Sequence, residues 1–406
     1  MRAPETTAVM AALEAAGGRD CARFVGGCVR NAIRSEPVAE VDIATTLTPD
    51  RVSKALTDAG LKAVPTGFEH GTITAVAGGK PFEVTTLRRD VETDGRHAVV
   101  AFTADWAEDA ARRDLRLNAI YADAEGRLFD PTGEGVADAR AGRVVFVGDA
   151  ATRIREDGLR ILRFFRFYAW YGREAPDAAG LAACAALKDL IGGLSAERVA
   201  QELMKLLAAE DPRAAMRLMA QTGILALVLP QAQGLARFEG LVEIETDQLF
   251  QCDAELRLAA LLPDDSAAAN AVADRLKLSN ALRERLVGAL GTAPRIVSWM
   301  SPREARRVVY RLGVQPFCDR VLLAWAASER HAAAIQWRAL IPMAQSWPRP
   351  SLPLTGAEVM AAGVPEGPLV GEVIREVEAW WIDQDFIDDK LSIVEQLKAV
   401  AQGLAY

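Results

Sequence analysis

The chain has 406 residues, half of them hydrophobic and a quarter charged, with 55 Asp and Glu against 47 Lys and Arg for a formal net charge of −8. That length exceeds one ordinary hydrophobic core and implies roughly two to four domains. The acidic balance excludes a protein that coats nucleic acid along its whole surface, but it leaves room for a local basic channel.

Five scattered cysteines, Cys21, Cys28, Cys184, Cys252 and Cys318, form no C-x-x-C pair. Their number and spacing fit a reducing compartment and give no zinc signature. The first residues lack the apolar core of a signal peptide, and no apolar run is long enough to span a bilayer. The expectation is a cytoplasmic protein with no membrane partner.

In chain order, residues 6–16 read as an Ala-rich helix stopped by Gly17-Gly18. A short apolar run, 21–25, then meets Gly26-Gly27 and a helix-compatible segment, 28–33. Two glycines let backbone approach an anion, and a helix start points free N–H groups at it. Arg30, one turn in, supplies a charged fork for phosphate. From Val38 to Ala44 apolar and acidic residues alternate, so Glu40 and Asp42 share one face of an expected strand. Adjacent carboxylates repel, and a hard divalent cation relieves that. Mg2+ typically takes one or two carboxylates plus substrate phosphates.

A helix from Thr48-Pro49-Asp50 follows, then strands 72–77 and 82–87 about a Gly78-Gly79 turn, the second carrying Glu83. Residues 88–103 read as a charged, glycine-containing loop. After A-R-R-D-L-R-L-N-A-I at 111–120, short strands flank Glu125-Gly126, and the first domain is expected to end near Gly148. From Asp149 the period becomes helical, with Ile154, Gly158, Ile161, Phe165 and Tyr168 on one expected buried arc. On that wheel Asp157 and Arg160 are neighbours on one flank. A carboxylate beside a guanidinium matches the amine and ring nitrogen that cytosine and adenine share, and mismatches uracil and guanine.

Gly-Gly-x-x-Arg at 26–30 with the acidic strand at 40–42 resembles the palm of the polymerase-beta nucleotidyltransferase superfamily. More closely it resembles bacterial class II CCA-adding tRNA nucleotidyltransferases and their poly(A) polymerase relatives. The family usually has Asp where this chain has Glu40 and Asn31; Glu40 keeps a carboxylate on a longer arm and Asn31 loses a charge. The resemblance implies an α+β fold, a mixed-sheet palm followed by an all-α neck, body and tail. It implies a third catalytic carboxylate at Glu83, beside Glu40 and Asp42 as metal ligands. The stretch 112–119 resembles the family's R-R-D-x-x-x-N-A motif, which implies Arg113 on triphosphate or ribose, braced by Asp114 and Asn118. Glu156, Asp157, Arg160 and Arg163 resemble its E-D-x-x-R-x-x-R motif, which implies base selection by Asp157 and Arg160. Arg163 and Arg166 then face the triphosphate or primer end. In the family the loop matching 88–103 is tied to the switch from C to A addition.

Expected domains are 1–148 (palm), 149–230 (neck), 231–347 (body) and 348–406 (tail, after Pro348-Arg349-Pro350). The implied partners are CTP, ATP and the acceptor and T-arm half of tRNA, held by shape and phosphates. A poly(A) polymerase, a CC- or A-restricted enzyme, and a non-catalytic RNA-binding protein on a decayed palm are the alternatives. The stretch after Thr72 lacks the basic, aromatic strand associated with poly(A) polymerases.

Overall fold

A computed structural model describes residues 1–94, 97–328 and 333–403, which divide into two compact units, 1–230 and 231–406. The first unit opens with α1 (Pro4–Gly17), which has Pro in its first turn, where the ring removes an N–H that would be unpaired anyway. Then come β1 (Ala22–Val25), α2 (Gly27–Ile33), β2 (Asp42–Thr45), α3 (Pro49–Asp58), β3 (Lys62–Gly67), β4 (Thr72–Ala77) and β5 (Lys80–Thr86). Among the described residues, seven strands form one mixed sheet, whose order is completed by two short strands, β8 (Tyr121–Ala122) and β9 (Leu128–Phe129). That order is β3-β4-β5-β2-β1-β8-β9, with β2 and β5 parallel and the other neighbours antiparallel.

Alternation decides the two faces. Ile43, Ile73, Ala75 and Val84 are fully buried on the side against which α1 and α3 pack. Their sequence neighbours Asp42, Thr74 and Glu83 therefore project from the opposite side. β3, which alternation did not reveal, forms the edge and carries Pro65, a residue an edge strand tolerates because its outer N–H needs no partner.

The expected loop at 88–103 is instead a two-stranded antiparallel sheet, β6 (Arg88–Asp94) with β7 (His97–Phe102). Gly95 and Arg96, part of that reading, lie outside the described residues. After α4 (Trp106–Ala111) and α5 (Gly135–Ala141) the unit becomes helical. It continues with α6 (Ala150–Glu156), α7 (Leu159–Tyr171), α8 (Ala178–Ala186), α9 (Ala196–Leu207), α10 (Arg213–Gln221) and α11 (Ile224–Val228).

In the second unit every described element is a helix: α12 (Ala236–Asp247), α13 (Ala254–Ala260), α14 (Ser266–Leu276), α15 (Asn280–Ala289), α16 (Pro302–Leu312), α17 (Val314–Ala326), α18 (Ala334–Ser346), α19 (Gly356–Ala361), α20 (Pro368–Asp383) and α21 (Lys390–Gly403). Side chains of Asp253, Asp265, Ser279, Ser301 and Thr355 accept from the first-turn N–H groups of the helices they precede, which otherwise lack partners. One core cluster in it gathers Trp381, Val377, Ile393 and Leu397. A cavity of about 550 Å3 lined in part by Trp299, Trp337 and Arg320 belongs to this unit and holds none of the residues singled out from the sequence. Among the described residues no helix is long and apolar enough to cross a membrane.

Candidate active site

The turn between β1 and α2 is built by Gly26, whose φ of +71° a side chain would resist. A Cβ on Gly26 would stand 3.9 Å from Arg113 Nη1, so this turn and that guanidinium are neighbours. Arg30 is placed differently from the phosphate fork expected of it. It is buried, its Nη1 donates to Asn118 Oδ1 at 2.6 Å, and its Nη2 donates to Asn31 Oδ1 at 2.9 Å and to the Tyr171 hydroxyl at 2.7 Å. Its plane also lies over the Tyr171 ring at 3.9 Å. Burial draws its pKa down from the ordinary guanidinium value, against the opposing influence of Tyr171 and Glu36. With these contacts Arg30 joins α2 to the end of α7, while its Nη2 stays beside the turn, 3.6 Å from where a Cβ on Gly27 would stand.

The carboxylates do converge. Asp42 is the first residue of β2 and stands directly opposite Glu83 of β5 in parallel register, so their side chains project side by side. Glu40 lies two residues before the strand, exposed, instead of on a strand face with Asp42 as the alternation implied. The Asp42 carboxyl is pushed up from its ordinary range, first by burial and then by the negative charges of Glu83 and Glu40, with Arg113 pulling the other way. Among the described residues no Lys or Arg forms a salt bridge with any of these three carboxylates. A half-buried, uncompensated acidic group of this kind fits a divalent cation. Among the described residues no three or more His, Cys, Asp or Glu side chains close into a cage. What the register does supply is a pair of adjacent carboxylates, the number that a divalent cation also bound to phosphate oxygens and water requires.

Arg113 is held by residues that sequence reading missed. Asp109 Oδ2 accepts from Arg113 Nη2 at 2.9 Å and from the Tyr121 hydroxyl at 2.7 Å, while its Oδ1 accepts from Arg112 Nη2 at 2.7 Å. Burial favours the neutral acid at Asp109, but the guanidiniums of Arg113 and Arg112 and the Tyr121 hydroxyl outweigh it and lower the pKa to about 2. The i, i+4 spacing of Asp109 and Arg113 was a readable signal; Tyr121 arrives through the sheet and was not. Asp114 and Asn118 are buried together, the amide donating to Asp114 Oδ1 at 3.2 Å. Burial again works against the charge of Asp114, yet Arg163 and Asn118 hold its pKa below the usual range.

The helix expected across 150–168 is broken at Asp157, which is extended (φ −154°, ψ 109°) between α6 and α7. The cause is local: Asp157 Oδ1 accepts from the N–H of Leu159 at 3.0 Å, so the carboxylate serves the first turn of α7 instead of the helix before it. Ile154, Ile161 and Phe165 are fully buried as the wheel required, but Tyr168 is only half-buried. Asp157 and Arg160 consequently do not pair. Asp157 Oδ2 accepts from Arg198 at 2.6 Å, and Arg160 donates to Glu156 at 2.5 Å and to the carbonyls of Arg153 and Arg112. Arg163 reaches Asp114 at 2.6 Å and Arg166 reaches Glu202 at 2.5 Å, so both brace α7 against neighbouring elements. Glu202, Arg198 and Tyr171 are further partners that no local pattern marked.

Residues 22–145 match the family model described as the poly A polymerase head domain, and residues 177–235 match the one described as the probable RNA and SrmB-binding site of polymerase A. The chain is 31% identical over 390 residues to the mitochondrial CCA tRNA nucleotidyltransferase 1 of Mus musculus, covering 93% of this chain and 86% of that protein. It is 30% identical over 403 residues to the CCA-adding enzyme of Streptococcus gordonii, covering 97% and 96%. The crystal structure of the Bacillus stearothermophilus CCA-adding enzyme in complex with CTP has a similar fold, with a TM-score of 0.79, 27% identity, and coverage of 100% of this chain and 99% of that one. With a relative of this identity over nearly its whole length, and with a mixed sheet that sets Asp42 against Glu83, the chain belongs to the CCA-adding tRNA nucleotidyltransferase family.

Proposed function

We propose that this chain adds or repairs the 3′-terminal CCA of tRNA, taking CTP and ATP and using no nucleic-acid template. The observation that carries this reading is the Asp42–Glu83 register beside the Gly26 turn and Arg113. It is supported by near-full-length similarity to enzymes named for CCA addition. Nucleotidyl transfer breaks the bond between the α-phosphorus and pyrophosphate as the primer 3′-oxygen bonds to that phosphorus, so the site must take a proton and stabilise charge.

In this reading Glu83 accepts the proton of the attacking 3′-hydroxyl. Arg113, already fixed by Asp109 and Tyr121, directs its Nη1 toward the triphosphate at the Gly26-Gly27 turn. Glu40 and Asp42 would hold Mg2+, which supplies Lewis-acid stabilisation of the phosphoryl oxygens. Asp114 and Asn118 brace the sugar side of the site through Arg163 and Arg30. Arg30 acts mainly as the strut between α2 and α7, and Arg163 and Arg166 keep α7 in place for the primer end.

Asp157 and Arg160 select cytosine and adenine after leaving Arg198 and Glu156. The Asp157–Arg198 pair is partly exposed and costs little to exchange, whereas Arg160 is more deeply held, by Glu156 and the carbonyls of Arg153 and Arg112. We also propose the finer division of the two units into 1–148 palm, 149–230 neck, 231–347 body and 348–406 tail. The helical parts would grip the acceptor and T-arm half of tRNA by shape. Free thiols at all five cysteines suit a reducing compartment such as the cytoplasm. The test is incorporation of labelled CTP and ATP into tRNA lacking CCA. Activity that requires Mg2+ and stops with EDTA is expected; tRNA binding with no incorporation under any metal would favour the decayed-palm alternative.

A further inference from the structure

The segment between α2 and β2 delivers Glu40, and residues 36–41 have no helix or strand to fix them. The chain reverses at Ser35, whose φ is +57°, and returns along α2. Asn31 holds that return twice. Its carbonyl accepts from the N–H of Glu36 at 2.8 Å, and its side-chain Nδ2 donates to the Pro37 carbonyl at 2.9 Å. The other end of the same amide accepts from Arg30 Nε at 3.1 Å and Nη2 at 2.9 Å. Among the described residues no other side chain hydrogen-bonds the run from Pro37 to Val41.

An amide performs both tasks because it has an acceptor and a donor at its two ends. A carboxylate at position 31 would still receive Arg30, but it would meet the Pro37 carbonyl with no proton between two acceptors. We propose that Asn31 is a positioning residue. By tying the Pro37–Val41 run to the α2 strut it sets how Glu40 approaches Asp42, and thereby the affinity of the acidic pair for a divalent cation. The long arm of Glu40 makes this tether matter, since a side chain with more torsions loses more entropy when its backbone base is loose. This inference rests on the reading that Glu40 and Asp42 hold the cation.

The full chain and its Asn31→Ala, Asn31→Asp, Glu40→Gln and Asn31→Ala/Glu40→Gln variants would be titrated with Mn2+ in the presence of CTP. Bound metal is read from loss of the free Mn2+ paramagnetic signal, with melting temperature recorded alongside. Asn31→Ala is expected to weaken Mn2+ binding about fivefold, the worth of one ordinary hydrogen bond. Asn31→Asp should do the same despite keeping the Arg30 acceptor, and the metal concentration for half-maximal incorporation should rise in step. In the Glu40→Gln background, removing the Asn31 side chain should change Mn2+ affinity no further. Wild-type affinity in Asn31→Asp, or an undiminished loss in the Glu40→Gln background, would overturn the proposal. A wild-type chain that binds Mn2+ and incorporates nothing would sink the functional reading instead, while the binding comparison would still decide this one.

Discussion

Asp42 enters the sheet half-buried and faces Glu83, so its own environment favours the neutral acid that catalysis cannot use. The direction of its shift sets the sign of a stability effect. With the folded pKa above the unfolded value, ionised Asp42 weighs against the fold at neutral pH, and that burden disappears as pH falls below the ordinary 3.8. Asp42→Asn is therefore expected to raise the melting temperature at pH 7, by about 2–4 °C for each kcal/mol released in a unit of this size. The gain should shrink toward pH 3. The same variant should lose incorporation by at least ~10³-fold, since a neutral amide holds a hard cation far more weakly than a carboxylate. Retained turnover would remove Asp42 from the metal assignment.

Asp109 has the opposite sign. Its pKa of about 2 lies below the ordinary 3.8, so its ion pairs stabilise the fold fully above about pH 4, and the contribution is lost as pH falls through about 2. The difference corresponds to on the order of 2 kcal/mol at neutral pH for this buried group. Asp109→Asn should cost about that much in urea unfolding at pH 7, and the gap to wild type should narrow at pH 3. It should also slow incorporation, because Arg113 loses its anchor. A gap independent of pH would show that Asp109 contributes through shape and not through charge.

At the scale of elements, α7 follows Asp157 and carries Arg160, the two residues proposed to select the base, and it is pinned along its length by Arg163 to Asp114, Arg166 to Glu202 and Tyr171 to Arg30. Asp157→Ala is expected to reduce the preference for C and A over U and G by tenfold or more at equal tRNA affinity, the scale of losing one charged base contact. Unchanged preference in competition between labelled nucleotides would take Asp157 out of base selection. Legibility followed physical cause here. The strands β4 and β5 were plain because one face is buried and the other is not, and paired glycines marked their turn. β3 was hidden by Pro65, which reads as a breaker although an edge position accepts it. The β6–β7 hairpin was masked by a run of charges that a two-stranded ribbon away from the main sheet can carry. The break between α6 and α7 was missed because helical spacing ignores a carboxylate that bonds the backbone two residues on. Asp42 and Glu83 were legible as types, but their adjacency required the parallel pairing of strands separated by β3 and β4.

At the scale of the molecule, this acidic chain gathers Arg113, Arg160, Arg163 and Arg166 on and beside α7, each engaged by a carboxylate that fixes its direction. Such a site is preorganised for a small anionic substrate, and template-free addition demands it, because the protein alone must define each base and the end of the product. The decisive measurement is product length on three tRNA primers, ending before CCA, after C and after CC, each given Mg2+ with CTP, ATP, UTP and GTP singly and together. The expected products are C, C and A in that order, A on the last primer, and a stop at the completed CCA on all three. Open-ended A tails, or C addition without a following A, would contradict the proposed function.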